Sequence, residues 1–350
     1  MANRNIKNRD YNMDLLRVVA AFMVIVIHVS AYNFGDTPSK STEWLSYNFF
    51  DSMVRSAVPI FLMISGACFL NKKTQDNVKK IYSKNILKLL IVFIFWSIVY
   101  ALFSLYTGRI TKGQVIDSII TGHFHLWYLP TIIGIYIISP LIYRFVKNAS
   151  VNIYKYFIVL LLCASFLKTI SYLEFLPFYN HINLLLRNLP IDIIFGYYSY
   201  FILGYILYNY NILEKYSKTI YILGIISIIL CFVGTYFLSL YSGYNNPNLM
   251  REFSIFTLFE SIGVFLFFKN KVTISDCAIG KKITNVANCT LGTYVIHLLV
   301  MYMLFDLNII NIRSFNTFLS VPVISVITFI LSLTLVYVVK KVKFIGKWVF

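Results

Sequence analysis

The chain has 350 residues, of which 59% are hydrophobic, 18% aromatic and 13% charged, and its mean hydropathy is +0.73. Apolar runs long enough to cross a bilayer recur along it, which excludes an ordinary soluble globule. A net charge of +17 would suit nucleic-acid binding in a soluble protein. Here the Lys and Arg residues gather in alternate short loops, the pattern that orients membrane proteins, so nucleic acid is discounted as a partner.

The opening segment 1–12, MANRNIKNRDYN, is basic and polar and is expected to be cytoplasmic. The first apolar segment, 13–34, reads MDLLRVVAAFMVIVIHVSAYNF. It is too long for a signal-peptide core and lacks a small-residue cleavage site, so it reads as a retained first membrane helix. It carries Asp14, Arg17 and His28. Ionisable groups at such depth are costly and mark functional sites by default. Arg17 and His28 are eleven residues apart. That is close to three turns, which predicts a shared helix face with about 16 Å between them along the axis. The structural alternative is an Arg that snorkels to the headgroups and a His that bonds a neighbouring helix.

The second segment, 47–70, places Arg55 about 12 Å from its outer end, deep enough to require an anion or a polar partner. Pro59 is expected in the interior of that helix, where it would free a carbonyl and bend the chain. Ser65-Gly66-Ala67 permits close helix contact. The third segment, 84–106, contains Lys84 and Lys88. The loop before the fourth, 125–147, ends in GHFHLWYLP and is expected to set His123 and His125 at the outer interface beside Trp127 and Tyr128. No Cys or acidic ligand lies at metal-site spacing from this pair, so no metal is expected. His125 suits an acid, a base or a donor that orients an acceptor sugar.

Further apolar segments lie at 153–172, 190–209, 218–241, 251–269, 289–311 and 316–340. His297 falls about 12 Å inside the inner end of the ninth. Asp192, Glu260 and Lys88 are candidate charge partners for Arg17 or Arg55, and His181 reads as a solvated loop residue. The expected fold is an all-α, polytopic membrane bundle of about ten helices. Basic residues divide roughly 21 to 6 between the two sets of loops, which places both termini in the cytoplasm. No loop is long enough to bury a core of its own, so residues 1–350 read as one membrane domain, with 341–350 a cytoplasmic tail. The five cysteines, scattered without a CxxC pair, read as small hydrophobes. There is no GxSxG elbow, no GxxxxGK[ST] phosphate loop and no GxGxxG fingerprint, which argues against a serine hydrolase or an ATP-driven pump. Buried His and Arg in a bundle fit proton or acyl transfer on a membrane-borne substrate.

Four stretches, MDLLRVVAAFMVIVIH, RSAVPIFLMISG, HLWYLPTIIGIYIISPLI and GTYVIHLLV, resemble in order the acyltransferase type 3 family of integral-membrane O-acyltransferases. The chain is most like the stand-alone O-acetyltransferases of that family. The resemblance implies acyl-CoA, usually acetyl-CoA, as donor, and a cell-envelope carbohydrate or lipid-linked sugar hydroxyl as acceptor, in a bacterial cytoplasmic membrane. Carried over by position, Arg17 is the donor-site Arg and His28 the essential His, while Arg55, His125 and His297 match other motif positions. The implied site has His28, Arg17, His125 and Arg55 in catalysis, with Arg17, Lys84, Lys88 and His297 binding the donor. Relatives often carry Arg where this chain has Lys84 and Lys88; Lys keeps the charge and loses bidentate phosphate geometry. A transporter of a small molecule or of a polysaccharide is the competing reading, since buried ionisable groups suit ion-coupled transport as well.

Overall fold

The computed structural model describes residues 9–71, 78–189, 196–275, 277–342 and 349–350. Every regular element among them is helical, as an apolar solvent demands, because a helix pairs its backbone groups within one segment. The main elements are α1 (Tyr11–Ala31), α2 (Thr42–Ser52), α3 (Ala57–Phe69), α4 (Leu87–Tyr106), α5 (Val115–Thr121), α6 (Tyr128–Asn148), α7 (Val151–Ile170) and α8 (Tyr179–Asn188). They continue with α9 (Tyr198–Asn209), α10 (Ser217–Ser242), α11 (Ile255–Asn270), α12 (Cys277–Ala287), α13 (Thr290–Asp306) and α14 (Thr317–Lys341). The protein is an all-α polytopic membrane bundle.

Among the described residues seven helices are long and apolar enough to cross a membrane, and an eighth span results if α12 and α13, bent by 51° at their junction, are taken as one. The expected number was about ten. The two expected segments beyond these are 190–209, whose described part holds α9 with 12 residues, and 251–269, which holds α11 with 16 residues, fewer than a full span. Asp192 and the start of the expected segment 190–209 lie outside the described residues, as do 1–8 of the opening segment and 343–348 of the tail.

Helix α1 is the axis of the bundle. It packs against α2, α3, α11, α12, α13 and α14, and 61% of its apolar window is buried, against 28% for the span that contains α10. Its first turn is capped by the Asp10 carboxylate, which accepts from the Asn12 and Met13 amides at 3.0 and 3.2 Å. We call the side where α1 begins the near face and the opposite side the far face. Near-face elements are tied to α1 by Asp14, which accepts from Arg9 at 2.5 Å, from Thr284 at 2.8 Å and from Arg17 at 3.4 Å.

The second span differs from its expected form. It is broken at Met53–Ser56, between α2 and α3, and Pro59 therefore stands in the first turn of α3 instead of a helix interior. First-turn amides have no intrahelical acceptor, so Pro59 costs no hydrogen bond there. Gly66 of α3 and Gly204 of α9 mark a backbone-to-backbone crossing: a β-carbon on Gly66 would overlap the Phe201 carbonyl, and one on Gly204 the Met63 backbone. Small residues allow this approach, which gains dispersion contacts where lipid offers no hydrophobic driving force. At the near-face end of the bundle Val349 and Phe350 return to it, with Trp96 Nε1 donating to the Val349 carbonyl at 3.0 Å and the Phe350 ring 5.6 Å from that of Trp96.

Gly204→Ala is expected to force α3 and α9 apart at a cost of about 3 kcal/mol or more, and Gly134→Ala, where an added β-carbon meets nothing, is expected to be neutral. Apparent melting temperatures of the two variants in detergent check the contrast.

Candidate active site

The far half of α1 carries His28 into a cluster with three other histidines. Ring centroids of His28 and His297 are 5.1 Å apart, His125 and His297 5.3 Å, His28 and His125 6.2 Å, and His123 and His125 5.0 Å. His297 and His125 are 0% and 1% exposed, while His28 retains partial exposure. His125 was expected at the outer interface; it is instead an interior residue. Gly122, at φ 74°, ends α5 in a left-handed turn, and its backbone lies so close to Phe93 that a β-carbon would come within 2.7 Å of that ring. The turn sends the 3₁₀ segment Phe124–Trp127 back into the bundle with His125 at its centre.

Hydrogen bonds to carbonyls fix the tautomers, because a carbonyl only accepts. His297 Nδ1 lies 2.5 Å from the Tyr294 carbonyl, so Nδ1 carries the hydrogen and in the neutral ring Nε2 is a bare lone pair. That Nε2 is buried and has no hydrogen-bond partner among the described residues. His125 Nε2 lies 3.3 Å from the Val295 carbonyl and its Nδ1 lies 2.9 Å from His123 Nδ1. The His125 hydrogen therefore sits on Nε2, and His123 donates to His125. Tyr100 braces this wall: its ring stacks on His123 at 4.6 Å, and its hydroxyl donates to the Val295 carbonyl at 2.9 Å and accepts from the Leu299 amide at 3.1 Å.

Arg55 lies in the break of the second span, within electrostatic range of His28. Its Nη2 pairs with the Asp51 carboxylate and stands 3.5 Å from Met250 Sδ. Arg55 Nε and Asp51 Oδ1 are buried without hydrogen-bond partners among the described residues. Next in sequence, Ser56 donates from its hydroxyl at 2.7 Å and its amide at 3.3 Å to Glu260 Oε1. Arg55 is thus partnered on its own helix side by Asp51, and Glu260 meets Ser56. The Asp-x-x-x-Arg spacing at 51 and 55 is the signal in the sequence that finds this pair, since residues four apart share a helix face.

Arg17 stands about 16 Å down α1 from His28, with its side chain 27% exposed and Nη1 3.4 Å from Asp14 Oδ1. The hydroxyls of Tyr128 and Tyr136 gather at Ser65 within electrostatic range of Arg17. From Tyr128 the polar seam continues to Tyr294, 5.8 Å away between ring centroids, and the Tyr294 hydroxyl donates to the His125 carbonyl. A chain of polar side chains therefore links Arg17 to the histidine cluster through the bundle. Lys88 lies within electrostatic range of Lys340, whose ammonium donates to the Asn288 carbonyl, while Arg9 donates to the Asn288 side chain at 2.8 Å. Lys84 is exposed on a π-helical turn, Ile81–Ile86. The structure thus brings His28, His125 and His297 together, keeps Arg55 within electrostatic range of His28, and leaves Arg17, Lys84 and Lys88 toward the near face. His181 lies on α8 and is exposed. Among the described residues no group of three or more His, Cys, Asp or Glu side chains is arranged to hold a metal ion.

Interior histidines in a membrane bundle, with polar side chains running toward them from one face, mark a functional site. A family model described as an acyltransferase domain matches residues 10–337. The chain belongs to the acyltransferase type 3 family and is a membrane acyltransferase. No curated protein and no solved structure matches it.

Asp51→Ala would strand the Arg55 charge in the bundle, with an expected loss of about 3–5 kcal/mol; replacing Asp51 and Arg55 together by Met is expected to recover most of it. Melting temperatures and folded yield of the two variants measure this.

Proposed function

We propose that the protein moves an acetyl or other short acyl group from acyl-CoA, held at the near, cytoplasmic face, to a hydroxyl of a cell-envelope carbohydrate presented at the far face of a bacterial plasma membrane. The observation that carries this reading is the run of polar side chains between Arg17 and the histidine cluster, whose ends lie about 16 Å apart along α1, a span comparable with an extended thiol arm. The residues present fit the donor. Arg17, Lys88 and Lys340 supply cations for phosphates, and the hydroxyls of Ser65, Tyr128 and Tyr136 line the path inward for an arm that carries amides and a thioester.

In this mechanism His28, a partly exposed member of the cluster, takes the proton of the acceptor hydroxyl as that oxygen attacks the thioester carbonyl. A carbon–oxygen bond forms, the carbon–sulfur bond breaks, and the proton is returned from His28 to the departing thiolate. His297 packs its ring 5.1 Å from that of His28, and the Arg55 guanidinium stabilises negative charge that develops on the carbonyl oxygen. An acyl-histidine on His28 is the two-step form of the same transfer.

With labelled acetyl-CoA and membrane vesicles that contain the native acceptor, wild-type protein is expected to place label in a carbohydrate fraction. His28→Ala should lower that rate by about 10²–10⁴. Arg17→Ala should raise the half-saturating acetyl-CoA concentration by about tenfold or more, the loss of one charge-assisted phosphate contact. Folded wild-type protein that moves no label into any fraction would overturn the assignment in favour of transport, the reading that the broken second span favours.

A further inference from the structure

A pocket of about 450 Å³ opens on the far side of the bundle, between the end of α1, the end of α13 and the loop that follows it. Its walls include Tyr32, Asn33, Phe305, Asp306, Asn311 and Arg313. The volume lies within the range of small-molecule sites. Its position is the first notable feature. Tyr32 is four residues beyond His28 on α1, so it shares that face about 6 Å further along the axis. Tyr302, near the end of α13, connects the two regions: its ring is 6.0 Å from that of His123 and lies under Arg109, which holds Asp306 of the pocket wall.

The chemistry of the lining is the second. Tyr32 presents a ring that is 42% exposed and meets Phe305 edge to face at 4.8 Å. A pyranose has an apolar face of C–H groups and a rim of hydroxyls, so it requires an aromatic platform flanked by groups that both donate and accept. The rim groups are held in place. Arg109 grips both Asp306 oxygens at 2.9 Å while lying 4.5 Å from the centre of the Tyr302 ring. Arg313 donates from Nε to Glu43 at 3.0 Å, and that bond raises its pKa and keeps it a cation. Asn311 accepts from the Arg313 amide at 2.9 Å through its side-chain oxygen, and its side-chain NH₂ makes no hydrogen bond among the described residues. A preorganised rim costs little ordering entropy when a ligand arrives.

We propose that this pocket seats the sugar ring that is acylated, with its apolar face on Tyr32 and Phe305 and its hydroxyls on Asn311, Asp306 and Arg313, so that one hydroxyl reaches down to His28. This rests on the proposed acyl transfer to a carbohydrate and adds to it where the acceptor binds and from which side. Tyr32 and Asn311 are binding residues; the proton of the reacting hydroxyl goes to His28 and then to the thiolate, as above.

The test has a binding arm and a kinetic arm. In the first, Asn311→Cys protein in sealed vesicles is labelled by an impermeant maleimide from the far face, with and without methyl glycosides of glucose, galactose and N-acetylglucosamine. Protection by at least one glycoside is expected. In the second, transfer from labelled acetyl-CoA is followed against graded native acceptor, with lipid-extractable and aqueous polymer fractions counted separately to tell a lipid-linked sugar from a free polysaccharide. Tyr32→Ala is expected to raise the half-saturating acceptor concentration about five- to tenfold and to leave that for acetyl-CoA unchanged, whereas Tyr32→Phe should behave as wild type. Wild-type acceptor dependence in both Tyr32→Ala and Asn311→Ala would overturn the site assignment while transfer itself stands. Protection without any label transfer would keep the sugar site and overturn the acyl-transfer reading. Neither protection nor transfer would overturn both.

Discussion

The hydrogen bond between His297 Nδ1 and the Tyr294 carbonyl decides what the interior of this bundle can do. It ties one ring nitrogen to an acceptor and leaves the other as a lone pair that is buried and unpartnered among the described residues. A buried lone pair without a donor costs free energy unless something completes it during the reaction. The same carbonyl-directed logic holds His125 against Val295 and, through His125, fixes His123. The helical ladder of α13 thus supplies orientation to three of the four rings, and Tyr100 braces the ladder from α4.

Apolar surroundings make each remaining polar group count. The bundle meets this by local pairs, Asp14 with Arg17 and Asp51 with Arg55, and by longer reaches such as Glu260 to Ser56 and Asp14 to Thr284. The break at Met53–Ser56 leaves the Ser56 amide, just before α3, to donate to Glu260. Under the proposed reaction, pairing on the near face leaves Arg17 only lightly held, at 3.4 Å from Asp14, and thus free to exchange a carboxylate for a phosphate.

Much of this was legible in the sequence because the bilayer imposes a length and a periodicity. The all-helical bundle followed from apolar runs, and the Arg17–His28 register followed from helix geometry alone. Other features were hidden by tertiary context. Pro59 was expected in a helix interior that it bends and instead stands in the first turn of α3, just after a break, since a Pro near the centre of an apolar run reads the same in either case. His125 read as interfacial because Trp127 and Tyr128 beside it are typical anchors; the inward turn depends on the left-handed Gly122 and on the space beside Phe93. His297, expected among the donor-binding groups, lies beside His28 through a crossing of α1 and α13 that no one-dimensional pattern encodes. Tyr100 carries no signal in the sequence, being one aromatic among many on an apolar helix.

The central claim is that an acyl group enters along the seam from Arg17 and leaves on a hydroxyl beside His28. Oriented proteoliposomes, with labelled acetyl-CoA supplied only on the near face and the native acceptor only on the far face, test it most directly. The account predicts acylated acceptor on the far side with free CoA retained on the near side. Label that appears only when donor and acceptor are both supplied to the far face would contradict it.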